Sequence, residues 1–130
     1  MLLCDALSRY PNAKVSLFHA GYPWVSEMAA LCKHLTCAYA DLCWTHIIAP
    51  AAAKKALDEW LDAIPASKIF AFGGDYIVAD CVYGHSVIAR TDVAEVLANR
   101  VESGRMSMGD AKRTAQMILR DNEIEFFGLT

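Results

Sequence analysis

An α/β fold of parallel strand–helix units is expected from three features of this 130-residue chain. The apolar runs "KVSLFHA", "CAYADLCW" and "KIFAF" are nearly continuous rather than alternating, as in strands covered on both faces. Segments with apolar residues at helical spacing separate them. The resulting order of strand, helix, strand, helix, strand, helix is the one that right-handed crossovers produce in a parallel sheet.

Residues 2–9 read as the end of a helix that Pro11-Asn12 stops. A first strand is expected over 15–19, with Val15, Leu17 and Phe18 apolar. From Trp24 to His34, the residues Val25, Met28, Ala29, Leu31 and Cys32 follow helical spacing. The second strand is expected over 37–43. Pro50 suits the first turn of a helix, where its missing N–H costs nothing. Ala53, Leu57, Trp60, Leu61 and Ile64 make the apolar face of that helix, and Pro65 ends it. A third strand is expected over 69–73, after which Gly73-Gly74 releases the chain into a long irregular stretch. Asp92 with Glu95 reads as a capping box that opens a helix carrying Val93, Val96, Leu97 and Val101, closed by Ser103-Gly104. Ser107 caps a further helix with Ala111, Ala115, Ile118 and Leu119 on one face. The terminal "NEIEFFGLT" is expected to tuck Phe126 and Phe127 against an apolar surface. With no internal repeat, low-complexity segment or linker, residues 1–130 read as a single domain.

Composition excludes several functions. The net charge is −3 and no block of Lys or Arg occurs, which argues against a nucleic-acid partner, since phosphates need clustered cations. No apolar run approaches the roughly 20 residues of a membrane span, so no membrane partner is expected. The opening "MLLCDALSRY" lacks a basic segment and a long apolar segment, and a cytoplasmic location is the expectation. Five cysteines without a CxxC pair suit neither a zinc ribbon nor a disulfide framework. They are expected to be reduced thiols packed as small apolar groups.

In parallel α/β folds the chemistry collects at the C-terminal ends of the strands. His19, the segment Asp41–Trp44 and Asp75 all fall there, so their side chains are expected on one rim. Imidazole and carboxylate can ligate a metal or move a proton. The blander alternatives are a core histidine satisfied by backbone and an aspartate that serves a turn. Trp44 is the one tryptophan at the rim, and Trp24 and Trp60 are assigned to the core. His34 and His46 carry no signal beyond exposure or turns.

The stretch "PNAKVSLFHAGYPWVSEMAALCKHLTCAYADLCW" resembles the sixth and seventh strand–helix units of the amidohydrolase superfamily, in its amidohydrolase-2 branch of decarboxylases and hydrolases. "SKIFAFGGDY" is similar to that branch's eighth strand, and "YGHSVIARTDVAEVLANRVESGRMSMGDAKRTAQMILRDNEIEFFGL" to its C-terminal helices. The resemblance implies part of a (β/α)8 (TIM) barrel, here the C-terminal half-barrel with extra C-terminal helices. It implies a divalent metal, zinc or manganese, with His19 as ligand or general acid/base and Asp75 as ligand and proton acceptor. It also implies substrate-side contacts at His85, Arg90 and Trp44. The family's H-x-H of strand one and its ligand from strand four or five have no counterpart in the sequence.

Two functions follow from the resemblance. One is a metal-dependent hydrolase or decarboxylase, or part of one, acting on a small carboxylated or cyclic substrate and inactive alone. The other is a non-catalytic truncated barrel module that acts in assembly. A half-barrel leaves sheet edges unpaired and one sheet face open. The expected partners beside the small-molecule substrate are therefore a second copy or an N-terminal barrel half.

Overall fold

The three apolar runs form a parallel sheet in the order β1-β2-β3. The computed structural model describes residues 2–129. Its elements are α1 (Leu2–Ser8), β1 (Val15–Leu17), α2 (Val25–His34), β2 (Ala38–Asp41), α3 (Thr45–Ile48), α4 (Pro50–Ala63), β3 (Ile69–Phe70), α5 (Cys81–Glu102), α6 (Met108–Gln116) and α7 (Asn122–Phe127). Val15 pairs with Ala38 and Leu17 with Ala40, while Asp41 pairs with Phe70. The strands are shorter than the apolar runs because each chain leaves the ladder as it reaches the rim. This is a mixed α/β structure with three parallel strands, consistent with a partial barrel.

Side chains alternate across a strand, so the register fixes two faces. Ala38, Ala40 and Ile69 point into the core against the helices, where Met28, Cys32, Leu57, Trp60, Val93 and Leu97 pack with them. Trp60 is fully buried, and its indole N–H donates to the carbonyl of Val25 at 3.3 Å. Trp24, by contrast, is 65% exposed and belongs to no core. Burying an aromatic of this size stabilises the α2–α4 contact by about 2–3 kcal/mol. On the other face stand Ser16, Tyr39, Asp41 and Phe70. Helix α7 folds over that face, with the Phe126 ring centroid 4.8 Å from Tyr39 and 5.0 Å from Phe70. Phe127 remains 59% exposed.

The two outer edges of the sheet differ. At β3 the C-terminal segment supplies the missing partners. Ala71 N–H donates to the carbonyl of Ile118 at 2.7 Å, and the Asn122 amide donates to the carbonyls of Ile69 at 2.9 Å and Ala66 at 2.8 Å. Ile118 lies in a π-helical turn, Met117–Asp121, that links α6 to α7. At β1 no strand among the described residues pairs with the outer edge. Accordingly β3 is buried throughout while β1 is half-buried throughout.

The expectation for residues 73–91 needs correction. The irregular stretch ends at Asp80, and α5 runs unbroken over 22 residues from Cys81. Asp92 and Glu95 are interior to it rather than a capping box. Their carboxylates are drawn to tertiary partners instead, Asp92 to His46 at 2.9 Å and Glu95 to Lys54 at 2.9 Å. Arg100, 3% exposed, is held by Asp58 at 2.7 Å and Asp62 at 2.9 Å, which ties α5 to α4. The Ser107 cap forms as expected, with its hydroxyl accepting from the Asp110 N–H at 3.1 Å. All five cysteines are free, but Cys4 and Cys81 are exposed rather than packed.

Candidate active site at the C-terminal strand tips

Within a few residues beyond each strand stands a residue whose backbone is left-handed. His19 has φ 63°, Trp44 has φ 62° and Asp75 has φ 47°. Ala20 and Gly21 extend the first of these turns at φ 56° and 61°. Side chains crowd the backbone in this region, and each non-glycine residue held there costs on the order of 1–2 kcal/mol. Such strain persists where surrounding structure imposes it, and it concentrates at functional sites. Here it turns three side chains towards one rim.

Packing between the second and third tips sets the position of Asp75. A Cβ built on Gly73 would lie 2.8 Å from both the Cβ and the Sγ of Cys43, so only glycine allows this approach. The Trp44 N–H donates to the carbonyl of Gly73 at 3.3 Å. One residue pair further back, His46 joins the same two loops to α5. Its Nε2–H donates to the carbonyl of Ala71 at 2.9 Å, and its Nδ1 meets the Asp92 carboxyl at 2.9 Å. Because Ala71 O can only accept, Nε2 carries the hydrogen. Nδ1 then either donates to a carboxylate or accepts from a carboxylic acid, and the buried pair is net neutral in both cases. His46 is 3% exposed, which corrects the reading of this histidine as merely a turn residue.

These contacts bring His19 and Asp75 together. The His19 Nε2 lies 3.0 Å from the Asp75 Oδ2, with the two side chains 41% and 53% exposed. The indole of Trp44 meets the imidazole edge-on at 5.6 Å. The Sγ of Cys43 joins them, all three donor atoms lying within 4.8 Å of one another. The Cys43 thiol is pushed up to about 12 by burial and then by the charges of Asp41, Asp75 and Glu123. With no cation beside it the thiol stays protonated at neutral pH and is a poor nucleophile, whereas a bound zinc would displace its proton.

Behind the pair lies a cavity of about 210 Å³ between the sheet and α7. Phe18, Phe70, Phe72 and Phe127 line it, with Asp41, Asp75 and Glu123 as its acids. Asp41 is 6% exposed and accepts from the Ser16 hydroxyl at 2.8 Å and the Cys43 N–H at 2.7 Å. Burial raises its pKa, and these hydrogen bonds offset part of the rise. The Glu123 carboxyl is raised to about 7 by burial and by the charge of Asp41. His85 and Arg90 lie on α5 and do not line the cavity. The ring of His85 packs on Tyr76 at 4.2 Å, and its Nδ1 is buried without a partner. Arg90 is exposed.

A family model described as amidohydrolase, of the amidohydrolase-2 branch, matches residues 1–129. The chain belongs to the amidohydrolase family. No curated protein and no solved structure matches it. Amidohydrolases generally use divalent metals. The donor chemistry of the strand tips fits such an ion in part. An imidazole nitrogen and a carboxylate oxygen converge there, both accessible, and this pair suits zinc or manganese. The Cys43 Sγ, within 4.8 Å of both, joins the set as a third donor only when the ion displaces its proton.

Sequence spacing pointed to His19 and Asp75 but gave no sign of Glu123 or His46. Their roles depend on α7 folding back over the sheet and on α5 passing behind the tips. Asp41 and Cys43 fell within the rim segment, yet nothing in the sequence separated the cavity acid from the apolar residues beside it.

Proposed function

We propose that this amidohydrolase is the C-terminal half-barrel of a metal-dependent hydrolase or decarboxylase acting on a small carboxylated or cyclic substrate. The observation that carries this reading is the hydrogen-bonded His19–Asp75 pair, held by left-handed backbone at the tips of the first and third strands. A zinc or manganese ion held by His19 and Asp75 would supply Lewis acidity and lower the pKa of bound water. Asp75, 53% exposed, accepts a proton at Oδ2. His19 Nε2 stabilises charge beside it, and the edge of Trp44 packs against the imidazole at 5.6 Å. Asp41 keeps the chain after β2 in register through the Cys43 N–H.

Two protein ligands leave a divalent ion mostly hydrated, whereas a catalytic zinc usually has three. The isolated chain is therefore expected to bind metal loosely and turn over little. A partner carrying the family's H-x-H strand should raise metal affinity and activity together. The second reading, a non-catalytic barrel module, is favoured by α7 lying across the sheet face and by the C-terminal segment closing the β3 edge.

The test is metal analysis and hydrolase or decarboxylase assay of the purified chain, alone and mixed with an amidohydrolase N-terminal half. His19→Ala and Asp75→Ala should each abolish the metal binding and the activity gained on mixing. Tight stoichiometric metal in the lone chain, unaffected by either substitution, would rule the assignment out.

A further inference from the structure

The first two turns of α5 take no part in the site at the strand tips. Every buried residue of this 22-residue helix lies at or beyond Ala89. Residues 81–88, about 12 Å of helix, therefore stand clear of the core, with only His85 and Ser86 half-buried. From Cys81 to Ala89 there is no Asp, Glu, Lys or Arg. Val82, Tyr83, Val87 and Ile88 are exposed, as are Ile77 and Val78 just before the helix. A projecting arm with this much apolar surface and no charge has the composition of an interface centre rather than of a solvated face. We infer that the arm pairs with the same arm of a second copy, antiparallel about a two-fold axis at the level of His85, to form a homodimer.

Spacing, charge and packing each support a second copy as the occupant. Asp80, Tyr83, Val87 and Arg90 follow one another at intervals of three, four and three, so they form one stripe along α5, and all four are exposed. The groups that face the chain itself lie on other sides of the helix. Ala89 is buried, His85 packs on Tyr76, and Asp92 meets His46. The stripe opens on an acid and closes on a base. The two-fold axis sets Asp80 against the partner's Arg90 and Arg90 against the partner's Asp80, so the surface is complementary to itself. Parallel pairing would oppose like charges instead. Arg100, Arg105, Arg113 and Arg120 all sit in ion pairs within the chain. Asp80 and Arg90 have no charged partner among the described residues, and the Asp80 side chain caps nothing.

Between the charges, Tyr83 meets the partner's Val87 on both sides of the axis. Gly84 and Ser86 flank the stripe, and a Cβ added at Gly84 would meet nothing within 4 Å, so the two helices can approach closely. Helices in contact over about three turns bury an area at the low end for specific interfaces, which sets the affinity in the micromolar range. The arm belongs to α5, which packs on α3, α4 and α6, whereas the open sheet edge is at β1. Pairing through the arm thus leaves that edge free, and association there builds on the dimer. It is also independent of the reading of His19 and Asp75.

Sedimentation equilibrium of the full chain, from micromolar to submillimolar concentration, should show a monomer–dimer equilibrium that tightens as salt is lowered. Asp80→Arg and Arg90→Asp each oppose like charges at both ends of the stripe and should weaken the dimer at least tenfold. Mixing these two variants should restore a heterodimer within threefold of the parent affinity, because one chain then carries two cations on the stripe and the other two anions. Both sites are exposed, and circular dichroism checks that each variant folds. Tyr83→Glu should abolish the dimer, while Trp24→Lys should leave it intact. A parent chain that stays monomeric, single variants that dimerise like the parent, or a mixture of folded variants that does not recover would overturn the inference. So would an amidohydrolase N-terminal half whose binding to the chain is lost in Tyr83→Glu, since the barrel half would then be the occupant of the stripe.

Discussion

Gly73→Ala adds one methyl group at the closest approach between the second and third strand tips. Its carbon would stand 2.8 Å from the Cβ and Sγ of Cys43 and 3.3 Å from its Cα. Carbon atoms settle at about 3.5–4.0 Å, so the two loops must separate by several tenths of an ångström. Cys43 is only 4% exposed, and its Cβ cannot move without the backbone. The Trp44 N–H to Gly73 carbonyl bond, already 3.3 Å, would be lost. Overpacking of this kind costs about 1–3 kcal/mol. Restricting the unfolded chain returns about 0.4–1 kcal/mol, which leaves a net loss of about 1–2 kcal/mol. Gly74→Ala is the internal control. There the new carbon meets only the ring of Tyr76 at 3.3–3.4 Å, a side chain able to swing away. That variant should lie within about 0.5 kcal/mol of the parent chain. Urea denaturation followed by circular dichroism measures both, and Gly73→Ala should also weaken metal binding because Asp75 moves with the loop. Cys43→Gly should recover much of the loss in the Gly73→Ala background. A Gly73→Ala chain as stable as the parent, or a Gly74→Ala chain that is the less stable of the two, would refute the reasoning.

His46→Ala leaves the buried carboxyl of Asp92 and the carbonyl of Ala71 without partners and should cost about 3–5 kcal/mol in denaturant unfolding. The double variant His46→Ala, Asp92→Ala should cost less than the sum of the singles, and strict additivity would contradict a coupled pair. Glu123 is raised from 4.5 to about 7 in the fold, so its contribution is fully present below pH 4.5 and is lost as pH rises through 7. At about 1.4 kcal/mol per pH unit the loss is about 3 kcal/mol, and Glu123→Gln should abolish that part of the stability–pH curve. His19→Gly and Asp75→Gly should each stabilise the fold by about 1 kcal/mol through relief of left-handed backbone while removing the metal site. A loss of stability in both would mean that their half-exposed hydrogen bond outweighs the strain. Finally, the open β1 edge beside exposed Trp24 should make the chain self-associate at high concentration, and Trp24→Lys should reduce this in light scattering. Association that persists unchanged in Trp24→Lys would place the contact elsewhere.

The sequence by itself determined which segments are strands and where their polar tips fall. Continuous apolar runs can be buried only between layers, and parallel crossovers send every tip to one rim, so the placement of His19 and Asp75 there was legible from the strand pattern, while their proposed roles came from the family resemblance. Helix α4 was equally legible, because Pro50 and Pro65 bound it and its apolar stripe is regular. The tertiary structure decided what local signals could not. Asp92 and Glu95 have capping-box spacing, but a cap forms only at a free helix end, and His46 and Lys54 offered both carboxylates partners across the fold. The phenylalanines of the C-terminal segment marked it as packing on an apolar surface, but closing the β3 edge depends on Ile118 and Asn122 meeting backbone groups some fifty residues away. The charge of the cavity arises in the same way. Asp41 and Glu123 are far apart along the chain and come to line one cavity only when α7 lies on the sheet, where burial and the charge of Asp41 raise the Glu123 carboxyl.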